Sequence, residues 1–280
     1  MNRWHNAVFI ILLPALAFVA ACGPSYKFGR AQKLEQKGFF VEAAVEYEKI
    51  YKSHPGSPRA AESLYRLARI YQKKLKIYSH ANRFFRELAD KYPSAEPWAG
   101  RAREGIFNSP DYYPLTTGSF WIEGDSATGG RNMRSEWNCT AVSSGTFKME
   151  RKVYAGEALV TKIVRYFRKK DMQLQEGGAA SFANLSVLLQ YPFATGKSWK
   201  SVRDGRLTVY TVVDENLALK VVAGEFERCI KISEEYPDLP GTRKYNYYAA
   251  EVGWVLTTVA GAGQEHRNTE LLSYKINPEE

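Results

Sequence analysis

Between residues 26 and 107 the apolar positions recur at helical spacing. Phe40, Ala43, Ala44, Tyr47, Ile50 and Tyr51 share one side of a helix, with Glu42, Glu46, Glu48, Lys49 and Lys52 on the other. The stripe returns as Ala81, Phe84, Phe85, Leu88, Ala89 and Tyr92. Ala43 and Ala81, Tyr47 and Phe85, and Pro55 and Pro93 therefore stand 38 residues apart, which is an internal repeat. Ala60, Leu64, Leu67, Ala68 and Tyr71 predict another amphipathic helix, bounded by Pro55-Gly56-Ser57-Pro58 before it and by Lys73-Lys74 after it. A terminal helix is expected from Trp98 to Phe107.

Asn108-Ser109-Pro110-Asp111 ends this pattern, and the chain beyond is rich in the Tyr, Trp, Val, Thr and Gly that strands and tight turns require. Strands are expected at 146–154, 159–168, 207–213, 218–222, 227–233, 244–249 and 253–259. Tyr113-Pro114, Thr117-Gly118 and Trp121 recur as Tyr191-Pro192, Thr195-Gly196 and Trp199 at a constant offset of 78 residues. Gly145-Thr146-Phe147 pairs with Gly224-Glu225-Phe226, and Tyr166-Phe167 with Tyr247-Tyr248, at nearly the same offset. Two related halves, about 111–188 and 189–260, are predicted, each a meander of four to six strands. The proline excludes helix, the glycine allows a tight turn, and the tryptophan would pin its strand to the core. The expected fold is α+β in two domains: helical hairpins over 22–110, then a mostly antiparallel β domain over 111–280, either a sandwich or a curved half-barrel.

The first 21 residues read differently. Arg3 is followed by an apolar run, residues 7–21, that contains Pro14 and closes on Val19-Ala20-Ala21-Cys22. Fifteen residues interrupted by a helix breaker fall short of the roughly 20 needed to span a bilayer. Charge then separates the two domains. Residues 23–110 carry 17 basic against 9 acidic side chains, whereas residues 111–280 carry 21 of each. A basic half suits acidic partners or anionic head groups.

The sequence Val19-Ala20-Ala21-Cys22 resembles a lipobox. The resemblance implies that 1–21 is a lipoprotein signal peptide and that Cys22 is acylated, by palmitate or a similar chain, as the first residue of the mature protein. Gly23 is not the aspartate that favours inner-membrane retention in such lipoproteins, so the outer membrane, facing the periplasm, is implied. Export makes nucleic acid an improbable partner and leaves Cys139 and Cys229 as a candidate disulfide in an oxidising compartment. The helical repeat resembles the tetratricopeptide repeat: Ala43, Tyr47 and Pro55, then Ala81, Phe85 and Pro93, match its second-helix positions, with Gly38 at the turn. Its period exceeds the usual 34 residues, which is expected to reflect a longer turn at 73–77 and extended proline-containing linkers. Those linkers look like the joints of BamD-type outer-membrane assembly lipoproteins. The first helices of such repeats line a concave groove, which here implies a peptide-binding surface of Gln32, Glu62, Tyr65, Arg69, Gln72 and Arg103. The closing β segments are similar to envelope domains that resemble the LolA and LolB lipoprotein carriers.

No signature of catalysis emerges. His54, His80 and His266 stand apart, without metal-site spacing. Gly261-Ala262-Gly263 lacks the remainder of a dinucleotide fingerprint, and no Gly-x-Ser-x-Gly elbow is present. Neither cofactor nor metal is expected. The reading that results is a non-enzymatic lipoprotein, an interaction adaptor or scaffold held at the membrane through Cys22 and docking another envelope protein or peptide. The alternative is a carrier or binder of a hydrophobic ligand, such as an acyl chain, within the β domain.

Overall fold

A computed structural model describes the backbone of residues 15–261 and 263–277, with side chains from residue 23 onward. Most of the leader and the Cys22 side chain lie outside the described residues. The chain divides into two compact units, 1–109 and 110–280.

In the first unit, α1 (Ala15–Gln36), α2 (Phe40–Ser53), α3 (Ala60–Arg69), α4 (Tyr78–Lys91) and α5 (Trp98–Phe107) pack each against the next. The apolar stripes meet in one core in which Tyr47, Ile50, Leu64, Leu67, Phe85 and Leu88 are wholly buried. The 38-residue spacing is kept by whole elements: α2 and α4 are both 14 residues long and start 38 apart, and α3 and α5 are both 10 long and also start 38 apart. The expected long turn at 73–77 is absent. The helix runs on from α3 through a π turn, Ile70–Lys74, leaving only residues 75–77 to connect it to α4. The extra length of the repeat lies instead in the six-residue linkers 54–59 and 92–97.

The second unit is one antiparallel sheet of twelve strands, which excludes a two-sheet sandwich. The strands are β1 (Phe120–Asp125), β2 (Met133–Ser143), β3 (Thr146–Ala155), β4 (Ala158–Lys170), β5 (Gln173–Gly177) and β6 (Leu185–Gln190), then β7 (Ser198–Arg203), β8 (Arg206–Val221), β9 (Gly224–Glu235), β10 (Arg243–Ala249), β11 (Gly253–Gly261) and β12 (Gln264–Lys275). Sheet order runs β6-β5-β4-β3-β2-β1-β12-β11-β10-β9-β8-β7. Each half is a six-strand meander. They join along the β1–β12 ladder, with Phe120 opposite Lys275 and Trp121 opposite Tyr274. The second half therefore reaches Lys275, beyond the expected end at 260.

The outer strands of the sheet also meet. Ser186 Oγ donates to Val202 O at 2.6 Å, Val187 N–H donates to Ser201 Oγ at 2.7 Å, and Trp199 Nε1 donates to Val187 O at 3.1 Å. Side-chain bonds thus take the place of a backbone ladder between β6 and β7, and the sheet curls into a nearly closed barrel rather than a half-barrel.

The 78-residue repeat holds at the level of single bonds. Gly118 N–H donates to Cys139 O and Cys139 N–H returns the bond to Ser119 O; Gly196 N–H donates to Val212 O and Val212 N–H returns it to Lys197 O. Gly118 and Gly196 both sit at positive φ, 79° and 88°, where a β-carbon is disfavoured. The Trp121 and Trp199 side chains are buried, and each indole N–H donates to a backbone carbonyl, Val252 O and Val187 O respectively.

Candidate functional site

The residues implied for a groove on the helical unit divide into committed and open ones. Gln72 is 1% exposed. Its amide donates to Asn108 O at 2.8 Å and Ser109 Oγ at 2.9 Å, at the carbonyl end of α5, and its oxygen accepts from Arg69 at 3.3 Å. Glu62 is buried between Arg59 (2.9 Å) and Arg66 (3.1 Å). Arg66 also reaches Glu35, which accepts the Tyr47 hydroxyl at 2.8 Å. Burial, then Glu35, pushes the Tyr47 hydroxyl far above its ordinary value. Tyr65 packs between Phe85 and Trp98, at ring distances of 6.0 and 5.2 Å. Gln32 is half-buried, and Arg103 is exposed and paired with Glu96 at 3.2 Å. Tyr65 and Gln72 are therefore engaged with α4 and α5, while Glu62 and Arg69 pair within their own helical run; the burial of Glu62 and Gln72 corrects their expected place in an open groove. The large apolar side chains that this unit does expose include Phe39, Val41 and Val45, at the start of α2 and along it, at 51%, 59% and 44%.

The candidate disulfide is not formed. Cys139 lies on β2 and Cys229 on β9, five strands apart in sheet order, and both are free and buried. Burial pushes the Cys139 thiol up to about 12 and the Cys229 thiol up to about 11, so both stay protonated at neutral pH.

The β unit contains a cavity of about 290 Å³. Its lining comes from both halves: Trp121 and Glu123 of β1 and Met149 and Arg151 of β3 from the first, and Arg203, Tyr210, Glu234, Asn246, Tyr248 and Thr257 from β7 to β11 in the second. Strand alternation brings Trp121 with Glu123, Met149 with Arg151, and Lys244 with Asn246 and Tyr248, to one face. Tyr113, ahead of β1, reaches the cavity as well and stacks on Phe167 at 5.4 Å.

The ionic groups around this space are matched internally. Arg203 pairs with Glu176 at 2.9 Å, Lys244 with Glu234 at 3.1 Å, and Arg151 with Glu123. Glu234 also accepts from the Tyr236 hydroxyl at 2.6 Å and the Asn246 amide at 2.8 Å. Asn246 in turn accepts from Thr257, which accepts from the Trp254 indole. Burial works to raise the Glu234 carboxyl, but Lys244, Tyr236, Arg203 and Asn246 together outweigh it and hold it below the ordinary carboxylate range. The exception in this network is Tyr210. It is 3% exposed and its hydroxyl has no hydrogen-bond partner among the described residues, although Glu234, Arg203 and Tyr248 are close enough to act on it. Burial, then Glu234, raises that hydroxyl far above its ordinary value.

Tyr113 and Trp121 stand out in the sequence as members of the motif that opens each half, and Phe167 and Tyr248 as a matched pair, but that they share a cavity with the other lining residues is not legible, because these come from strands as far apart in the chain as β1 and β11. Among the described residues, no group of three or more His, Cys, Asp or Glu is placed to hold a metal, and no helix is long and apolar enough to cross a membrane.

No protein-family model matches the chain, and no curated protein matches it. A solved structure from Parabacteroides distasonis, provisionally described as a lipoprotein, is similar at 14% identity and a TM-score of 0.39, over 59% of this chain and 98% of that one.

Proposed function

We propose that this chain is a lipid-tethered protein of the bacterial cell envelope, anchored through Cys22 to the periplasmic side of the outer membrane, and that it works by binding rather than by catalysis. The observation that carries the tether is the phase of the helical repeat. Helices α3 and α5 start at Ala60 and Trp98, and one further step of 38 residues back along the chain falls on Cys22. Cleavage before that residue would begin the mature chain where a repeat begins. Pro24, interior to α1 in the full chain, would then lie in the first turn, where its missing N–H costs nothing. Labelling cells with radioactive palmitate tests this: the wild type should be marked and Cys22→Ser should not. Equal marking of the two, or none of either, would remove the tether.

For the helical unit the reading is an adaptor, with the exposed Phe39, Val41 and Val45 face as its contact surface in place of the groove implied by the repeat. A photoactivated crosslinker at position 41 or 45 should give a discrete envelope-protein adduct that the same probe at the exposed Arg86 of α4 does not. Equal adducts at all three positions would argue against it.

A second reading, binding of a small ligand inside the β unit, is favoured by the cavity and by the buried Tyr210 hydroxyl, which has no partner among the described residues. An acyl chain suits that space poorly. It would lie against three ion pairs and cover polar groups that it cannot hydrogen-bond, which offsets what its burial gains.

A further inference from the structure

Three properties of the β-unit cavity bear on what it would hold. First, a volume of about 290 Å³ lies at the small end of the roughly 300–1,000 Å³ of ligand pockets. Second, each charged group that lines it already has an opposite charge from the protein: Arg203 has Glu176, Lys244 has Glu234, and Arg151 has Glu123. A charged ligand would have to separate such a pair and strand a buried ion, whereas a neutral one leaves all three intact. Third, the lining combines broad aromatic surface with spare acceptors. The Trp121 and Trp254 indole N–H groups are spent on Val252 O and Thr257 Oγ1, so these rings offer the cavity apolar surface. Carboxylates have about four lone-pair sites each, and Glu123 and Glu234 are not saturated by their partners.

We propose that the β unit binds one neutral sugar ring, a hexose or N-acetylhexosamine, with its C–H surface against Trp121 and Trp254 and its hydroxyls shared among Tyr210, Glu123 and Glu234. A pyranose matches all three properties: it is uncharged and small, it has apolar C–H faces, and it carries many hydroxyl donors around its rim. Tyr210 is the most specific element of the site. Its buried hydroxyl has no partner among the described residues, and a buried hydroxyl without a partner is unfavourable until a ligand supplies one. This inference rests on the small-ligand reading of the β unit and adds the class of ligand.

The test uses the full-length acylated protein in detergent, with D-glucose, D-galactose, D-mannose and N-acetyl-D-glucosamine as probes, observed by saturation-transfer NMR and tryptophan fluorescence. Adenosine and palmitate serve as comparison ligands. At least one neutral sugar should bind. Tyr210→Phe should weaken it about 3- to 10-fold, the loss of one hydrogen bond, while the melting temperature without ligand stays the same or rises. Binding of adenosine or palmitate with no response to any sugar would overturn the sugar assignment and leave the small-ligand reading standing. Silence from every probe would overturn both. Sugar binding of equal strength in wild type and Tyr210→Phe would overturn this placement of the site, provided that near-ultraviolet circular dichroism shows the variant folded.

Discussion

A β-carbon on Gly105 would stand 2.5–2.6 Å from the Phe85 ring, which is wholly buried. Here α4 and α5 approach so closely that only hydrogen fits, and the ring has no free space into which to move. Gly105→Ala should therefore lower the stability of the helical unit despite the better helix propensity of alanine, by about 1–3 kcal/mol as for other overpacked cores. Chemical denaturation followed by circular dichroism at 222 nm would show it, and an unchanged midpoint would mean that the two helices can separate at little cost. The cysteines lead to a second expectation at this scale. With both thiols buried and held protonated, neither Cys139 nor Cys229 should react with a thiol reagent at neutral pH in the native protein, and both should react in denaturant. A Cys139–Cys229 bridge would instead leave both silent in denaturant until a reductant is added.

Elements differ in how strongly their neighbours hold them. The β1–β12 ladder is a run of backbone pairs, while β6 and β7 meet through Ser186, Ser201 and Trp199. The barrel should therefore open first between β6 and β7. Ser201→Ala removes the acceptor of the Val187 N–H and should cost about 1 kcal/mol, with faster amide exchange confined to β6 and β7. Exchange that speeds up equally in β1 and β12 would contradict this. The elements also differ in how legible they are from sequence. The stripes of α2 and α4, and the Tyr-Pro-x-x-Thr-Gly-x-x-Trp motif opening each half, are plain because each is a local pattern. β12 is not legible, because Gln264-Glu265-His266-Arg267-Asn268 is continuously polar and exposed, and its start is held as a strand by backbone pairing with β11 and by the Glu265 side chain on Lys231, Tyr247 and Thr258. The two strands expected at 207–213 and 218–222 are one 16-residue strand, β8, whose register shifts let it bend without ending. The roles of Gln72 and Glu62 are hidden for a related reason. Gln72 reads as solvent-facing until the backbone carbonyl of Asn108 is brought beside it, whereas the guanidinium partners of Glu62, Arg59 and Arg66, flank it on its own helical run and only its burial is hidden.

For the whole molecule, the ionisable groups buried in the β unit set a pH range of stability with two different edges. Glu234, with its folded pKa depressed, contributes stability that is present above the unfolded carboxylate value of about 4.3 and lost as pH falls through the folded value. Cys139, Cys229 and Tyr112 behave in the opposite sense. Their folded pKa values are raised by burial to about 12, about 11 and about 12, so what they contribute is complete below the unfolded values of about 8.5 for thiols and 10 for tyrosine, and is lost as pH rises through the folded ones. The melting temperature of the β unit should accordingly be level between about pH 5 and 8. It should decline below about pH 4 as carboxylates take up protons, and decline again above about pH 9 as buried thiols and then phenols are forced to ionise. Glu234→Gln separates the two edges. It leaves Lys244 without its carboxylate, and because Lys244 is about one-third exposed the cost should be about 2 kcal/mol, below the ~3–5 kcal/mol of a fully buried pair. It should also flatten the acid edge and leave the alkaline edge where it was. Thermal unfolding of wild type and variant from pH 3 to 11 decides the matter: an acid edge equally steep in both would mean that another carboxylate, with Glu265 beside Lys231 the next in line, governs the loss.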